Sequence, residues 1–142
     1  MNTTPKDALK DARISAARRT GGPVMIALLI PADAAQPARL IDVENDAAAL
    51  SAAIGAEYFE HVRSWAGHGL ALVVDETGLL TDRPINVRVT GVLYPGVICG
   101  DVLVCREVHE PDGAEYSDLT PKMLMGLRIL GYDFDAAEVT TS

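Results

Sequence analysis

Apolar residues come in short blocks along the chain, and the spacing inside each block predicts its element. Val24-Met25-Ile26-Ala27-Leu28-Leu29-Ile30 is a continuous run stopped by Pro31, the pattern of a strand buried on both faces. Leu70 to Val74 repeats it before Asp75-Glu76. Residues 39–44 alternate instead, with Leu40 and Asp42 set against Ile41 and Val43. That predicts a one-sided strand closing a hairpin across the Pro31–Pro37 turn. Tyr58 to Trp65 also alternates, with Phe59, His61, Arg63 and Trp65 on one side and Tyr58, Glu60, Val62 and Ser64 on the other.

Polar punctuation predicts the helices. Asn45 or Asp46 caps a short helix over Ala47–Ile54, and Gly55 follows in the position that favours glycine. Thr120-Pro121 opens a second helix with Leu124, Leu127, Ile129 and Leu130 turned inward and Gly131 closing it. Thr4-Pro5 starts a third over residues 5–19, ended by Gly21-Gly22-Pro23. Asp75-Glu76-Thr77-Gly78 reads as a turn, and residues 87–94 fit either a strand or a short helix. Val97 to Val108 reads as a strand interrupted by a bulge at Gly100, residues 109–118 as an acidic loop, and 133–142 as a tail. The expectation is an α+β fold. It has a mostly antiparallel sheet of about five strands, one short packed helix and a C-terminal helix, in a single domain over 23–142 behind a helical arm over 1–22.

Charge narrows the partners. The chain has 142 residues, 49% of them hydrophobic, and a net charge of −8. That is enough apolar material for one core, and an acidity that opposes binding to nucleic-acid backbones and to anionic membranes. Lys6, Lys10, Arg13, Arg18 and Arg19 against Asp7 and Asp11 give the first 22 residues a net +3, leaving −11 on the remainder. The N-terminal residues contain no apolar leader core, and no apolar run approaches the roughly 20 residues of a membrane span. Cys99 and Cys105 are the only cysteines; on one strand they would stand about 20 Å apart, beyond disulfide reach. These features predict a cytoplasmic protein with reduced thiols.

Candidate chemistry is sparse. His61, His68 and His109 have no metal-ligand spacing between them, and no nucleophile elbow, phosphate loop or dinucleotide fingerprint occurs. Cys99, beside Gly100-Asp101, belongs to an apolar block and reads as core. No cofactor, metal or catalytic residue is expected. Asp75 and Glu76 are adjacent, so on a strand end they point to opposite faces and form no acid–base dyad. Asn86, between Pro84 and an apolar run, suits a side chain that ties a loop by bonding to backbone, and secondly a ligand contact.

Taken together, "ALLIPAD", "ALSAAIGAEYFEHV", "LALVVDETGLLTDRPIN" and "ICGDVLV" resemble a domain-of-unknown-function family of small proteins from phages, plasmids and integrated elements of bacteria. The matching positions are Pro31, Ile54-Gly55, Asp75, Glu76, Gly78, Asn86 and Gly100-Asp101-Val102, within residues 25–106. The resemblance implies no reaction. It implies that the Asp-Glu-x-Gly turn and its asparagine are part of the domain's frame, and it points to an accessory protein that meets host factors. The leading expectation is a non-enzymatic protein that binds a host protein, such as a basic nucleic-acid-binding or defence protein, through Glu107, Glu110, Asp112, Glu115 and Asp118. The alternative is a binding protein or enzyme for a small, nucleotide-like ligand, with a pocket near Asp75, Asn86 and Asp101.

Overall fold

A computed structural model describes residues 24–67, 69–110, 113–135 and 139–141; the expected arm over 1–22 lies outside them. The chain order is β1 (Val24–Ile30), β2 (Arg39–Glu44), α1 (Ala47–Ala53), β3 (Phe59–Arg63), β4 (Leu70–Asp75), β5 (Val102–Glu110), β6 (Gly113–Ser117), α2 (Pro121–Ile129) and β7 (Val139–Thr141). Among the described residues, all seven strands join one sheet in the order β3-β4-β5-β1-β2-β7, with β6 paired to β5. Every pairing is antiparallel except that of β7 with β2.

The two apolar runs sit where their composition demands. β1 and β4 lie inside the sheet, and both faces of the sheet are covered, so consecutive residues are buried rather than alternate ones. One face packs Ile26, Leu28, Leu72 and Val104 under α2 (Leu124, Leu127) and under Val89, Leu93, Tyr132 and Phe134. The opposite face packs Met25, Ala27, Leu29, Val73 and Leu103 under Leu50 and Ile54 of α1 and its end. Helix starts are as the caps predict. The Asp46 carboxylate accepts from the Ala49 N–H at 2.8 Å, and the Thr120 hydroxyl accepts from the Met123 N–H at 3.2 Å.

Five stretches differ from the sequence expectation, the first being Val97–Asp101, which lies before β5 and not in a bulged strand. The stretch 109–118, expected as an acidic loop, is largely strand: β5 continues to Glu110 and pairs with β6, from Arg106 opposite Ser117 to Glu110 opposite Gly113. Charged residues scattered through the stretch, Arg106, Glu107, Glu110 and Glu115, hide the strand signal there. The segment after α2 is not a free tail either, since Tyr132 and Phe134 are buried and β7 runs parallel to β2. On α2, Leu124 and Leu127 face the core, but Ile129 is 79% exposed and Leu130 also reaches solvent. Residues 86–94 form neither strand nor helix. Two turns, closed by Thr90 N–H to Asn86 O and Leu93 N–H to Val89 O, bury Val89 and Leu93. With β6, β7 and the long β5, the sheet exceeds the five strands expected, while its α+β, mostly antiparallel character is as read.

Candidate functional site

The long connection from β4 to β5, residues 76–101, crosses one end of the sheet without a strand of its own, so its polar groups must be satisfied locally. Asp75 does this at the start. Its carboxylate accepts from the Thr77 N–H at 2.9 Å and takes Arg83 Nη1 at 3.0 Å. Burial raises the Asp75 pKa, but the Thr77 N–H, the Arg83 guanidinium and the Thr77 hydroxyl outweigh it and hold it below the usual carboxylate value.

Arg83 lies across Gly100. The residue has φ +89°, which favours glycine, and a Cβ there would fall 2.7 Å from Arg83 Cζ and push the guanidinium aside. Gly78 is constrained by space instead: its φ is not positive, but a Cβ there would meet the Cys99 carbonyl oxygen, a backbone atom, at 2.8 Å. Asn86 is fully buried. Its Nδ2 donates to the Ile30 carbonyl at 2.9 Å and the Gly100 carbonyl at 3.1 Å, and its Oδ1 accepts from the Arg88 N–H at 3.2 Å. Asp101 accepts from the Ala32 N–H at 2.9 Å, which fixes the chain just after Pro31. Thus Asp75, Asn86 and Asp101 sit in one assembly, each bonded to backbone, with Arg83 as the partner sequence reasoning did not single out. Arg83 follows Asp75 by eight residues across a turn, and that pairing is the signal that could have found it.

The expected acidic partner surface divides into two groups. Glu107 is buried: Arg63 Nε lies 3.2 Å from its Oε2 and His61 Nε2 lies 3.6 Å from its Oε1. Asp118 accepts from the Ile26 N–H at 2.8 Å, tying the exit of β6 to β1. Glu110 and Glu115 lie on β5 and β6, opposite Gly113 and Val108. Asp112, in the connection between those strands, lies outside the described residues.

Glu107 belongs to a polar group on the α1 face of the sheet. The Tyr116 hydroxyl lies 2.6 Å from His61 Nδ1, and the two rings stack with centroids 5.4 Å apart. They meet across Ala71 and Cys105, paired residues too small to block them. Burial, with the nearby thiol and carboxylate, drives the Tyr116 pKa upward, and burial pushes the Cys105 thiol up to about 12. Both therefore stay protonated at neutral pH, and Cys105 is no nucleophile. With the Tyr116 hydroxyl donating to His61 Nδ1, the imidazole N–H is directed at Glu107. Both ring nitrogens then face protein groups, so the arrangement braces β3 against β5 and β6. Arg63 and His61 share a strand face at i, i+2 spacing, a visible signal, but their meeting with Tyr116 depends on the sheet order.

Elsewhere, a cleft of about 320 Å³ is lined by Ala34–Ala38, Arg88 and Gly131–Asp133. The Arg88 guanidinium donates to the Asp33 and Gln36 carbonyls. Cys99 and Cys105 are both free and buried, with Cys99 outside β5 in an isolated bridge to Ile85. No helix among the described residues is long and apolar enough to cross a membrane.

The fold and the frame at the sheet's end define an α+β domain with a helix on each face of a mostly antiparallel sheet. A family profile described as a domain of unknown function, DUF3846, matches residues 25–128, and the chain belongs to that family. No curated protein sequence matches the chain. Among solved structures, that of the small RNA methyltransferase HEN1 matches with a TM-score of 0.58 at 15% identity. The match covers 82% of this chain and 17% of that one, so the chain is similar in fold to a small part of a much longer protein.

Proposed function

We propose that the protein is a non-enzymatic accessory protein of a phage or other mobile element that engages a basic surface on a host protein. The contact is the acidic end of the β5–β6 hairpin, Glu110, Asp112 and Glu115. The observation that carries this reading is the hairpin's composition: no Lys or Arg occurs between Arg106 and Lys122, while five acids do. Glu107 and Asp118 are engaged in the fold, which leaves the three acids nearest the turn as the contact. Such a concentration of like charge speeds encounter with a cationic surface. The mobile-element setting rests on the resemblance of the sequence motifs. The alternative ligand site at Asp75, Asn86 and Asp101 is weaker, because each of these side chains already serves the backbone around it.

The test is capture from host lysate by the wild-type chain and by the Glu110→Gln/Asp112→Asn/Glu115→Gln variant, with a native mass spectrum of the purified protein. The expected result is a host protein retained by the wild type and lost from the variant. Equal retention by both, or a stoichiometric small molecule in the native spectrum, would overturn the reading.

A further inference from the structure

We propose that the outer edge of β3 is a strand-addition site for an extended, basic peptide segment of another protein. β3 ends the sheet, and among the described strands it pairs with β4 alone. The register shows which of its backbone groups face outward. Glu76 N–H bonds to Tyr58 O at 3.2 Å and Ser64 N–H to Leu70 O at 3.0 Å. Positions 58, 60, 62 and 64 are therefore the hydrogen-bonded pairs with β4. In an antiparallel ladder the intervening residues direct their N–H and C=O away from the partner, so Phe59, His61 and Arg63 offer theirs at the open edge.

The edge is short and carries Glu60 and Arg63, but the other devices that discourage pairing are missing from it. Residues 59–63 contain no proline or lysine, and the register with β4 runs without a bulge. Aromatic rings stand at both ends instead. Tyr58, just before the strand, and Trp65, two residues after it, are each 62% exposed. Trp65 is held in place despite that exposure, with Nε1 donating to the Val92 carbonyl at 2.8 Å and its N–H to the Leu93 carbonyl at 3.1 Å. Exposed Tyr and Trp are among the residues that most often anchor a partner. Strand-adding domains hold peptides by main-chain pairing along such an open edge.

Charge selects the peptide. Glu57, Glu60 and Glu76 are exposed around the start of β3, whereas the one cation of the strand, Arg63, is matched by Glu107. The edge is thus net acidic and complements Lys or Arg side chains. A second copy of the chain is a poor occupant. Each copy carries −8, and a five-residue strand buries far less than the roughly 1,200 Å² of a stable interface.

Trp65 is the only tryptophan, so its emission reports on this edge. The experiment titrates the full chain with an N-acetylated Lys-Val-Lys-Val-Lys-Val amide and with its Glu-for-Lys counterpart. The basic peptide should change Trp65 emission saturably and the acidic one should not. Amide exchange should slow at Phe59, His61 and Arg63, with Glu60 and Val62 unchanged. Tyr58→Ala, at an exposed position, should weaken binding about tenfold. The Glu110→Gln/Asp112→Asn/Glu115→Gln variant should bind the peptide as the wild type does, which separates this edge from the hairpin surface. No binding of the basic peptide, equal binding of the acidic one, or protection that maps to β5–β6 would overturn the proposal.

Discussion

The β4–β5 connection and the α1 face beside β3 satisfy the same kinds of polar residue in opposite ways. In the connection, Asp75, Asn86 and Asp101 bond to backbone atoms, two of them reaching the chain at the end of β1. On the sheet face, Glu107, Arg63, His61 and Tyr116 bond to one another. A side chain bonded to buried backbone leaves behind a carbonyl or amide that cannot turn to water when it is removed. A side chain bonded to a half-exposed neighbour leaves a group that solvent can reach. The first arrangement fixes a frame, and the second is a brace that tolerates loss of the Tyr116 hydroxyl, because His61 is part-exposed.

The comparison predicts a ranking of damage. Gly100→Ala should cost most, about 2–4 kcal/mol, because a positive φ and displacement of the Arg83 guanidinium combine; urea unfolding measures it, and a cost under about 1 kcal/mol would mean the connection adjusts freely. Asn86→Ala should follow at about 1–3 kcal/mol, since the Ile30 and Gly100 carbonyls lose their donor. An unchanged midpoint together with lost ligand or partner binding would instead assign Asn86 to recognition. Tyr116→Phe should cost only about 1 kcal/mol, because the imidazole it leaves is 30% exposed and can take water. A larger loss than for Asn86→Ala would reverse the contrast between frame and brace.

The smallest effect concerns pH. Asp75 has a folded-state pKa below its ordinary 3.8, so its charged form stabilises the fold. That contribution is fully present above about 4 and disappears as pH falls through the lower folded value. Asp75→Asn should therefore be less stable than the wild type at neutral pH, and the gap should close in acid. A gap that stays constant down to pH 2 would show that the Asp75 charge is not what Arg83 reads.

How much of this was legible follows from where the partners lie. Val24–Ile30 and Leu70–Val74 declare themselves as buried strands because covering on both faces leaves no polar position. Asp46 and Thr120 declare their helices because capping is a local bond. Asn86 and the Gly78 and Gly100 turns were visible as constraints, since proline and glycine mark them, although the Arg83 guanidinium over Gly100 was not. The β5–β6 hairpin was hidden because Arg106, Glu107, Glu110 and Glu115 interrupt its apolar alternation. β7 was hidden because three residues, Val139–Thr141, carry no period. The His61–Tyr116–Glu107 group depends on strand order, which no local pattern encodes.

The most direct test of the central claim, that the acidic hairpin end is the recognition surface, is the association rate with the captured host protein at low and at high ionic strength. Screening shortens the reach of exposed charge to about 10 Å at 0.1 M salt. The wild-type rate should therefore fall steeply with salt, while Glu110→Gln/Asp112→Asn/Glu115→Gln should associate slowly at both and dissociate nearly as the wild type does. A salt-independent rate, or full-speed association by the triple variant, would contradict the account and move recognition to another surface.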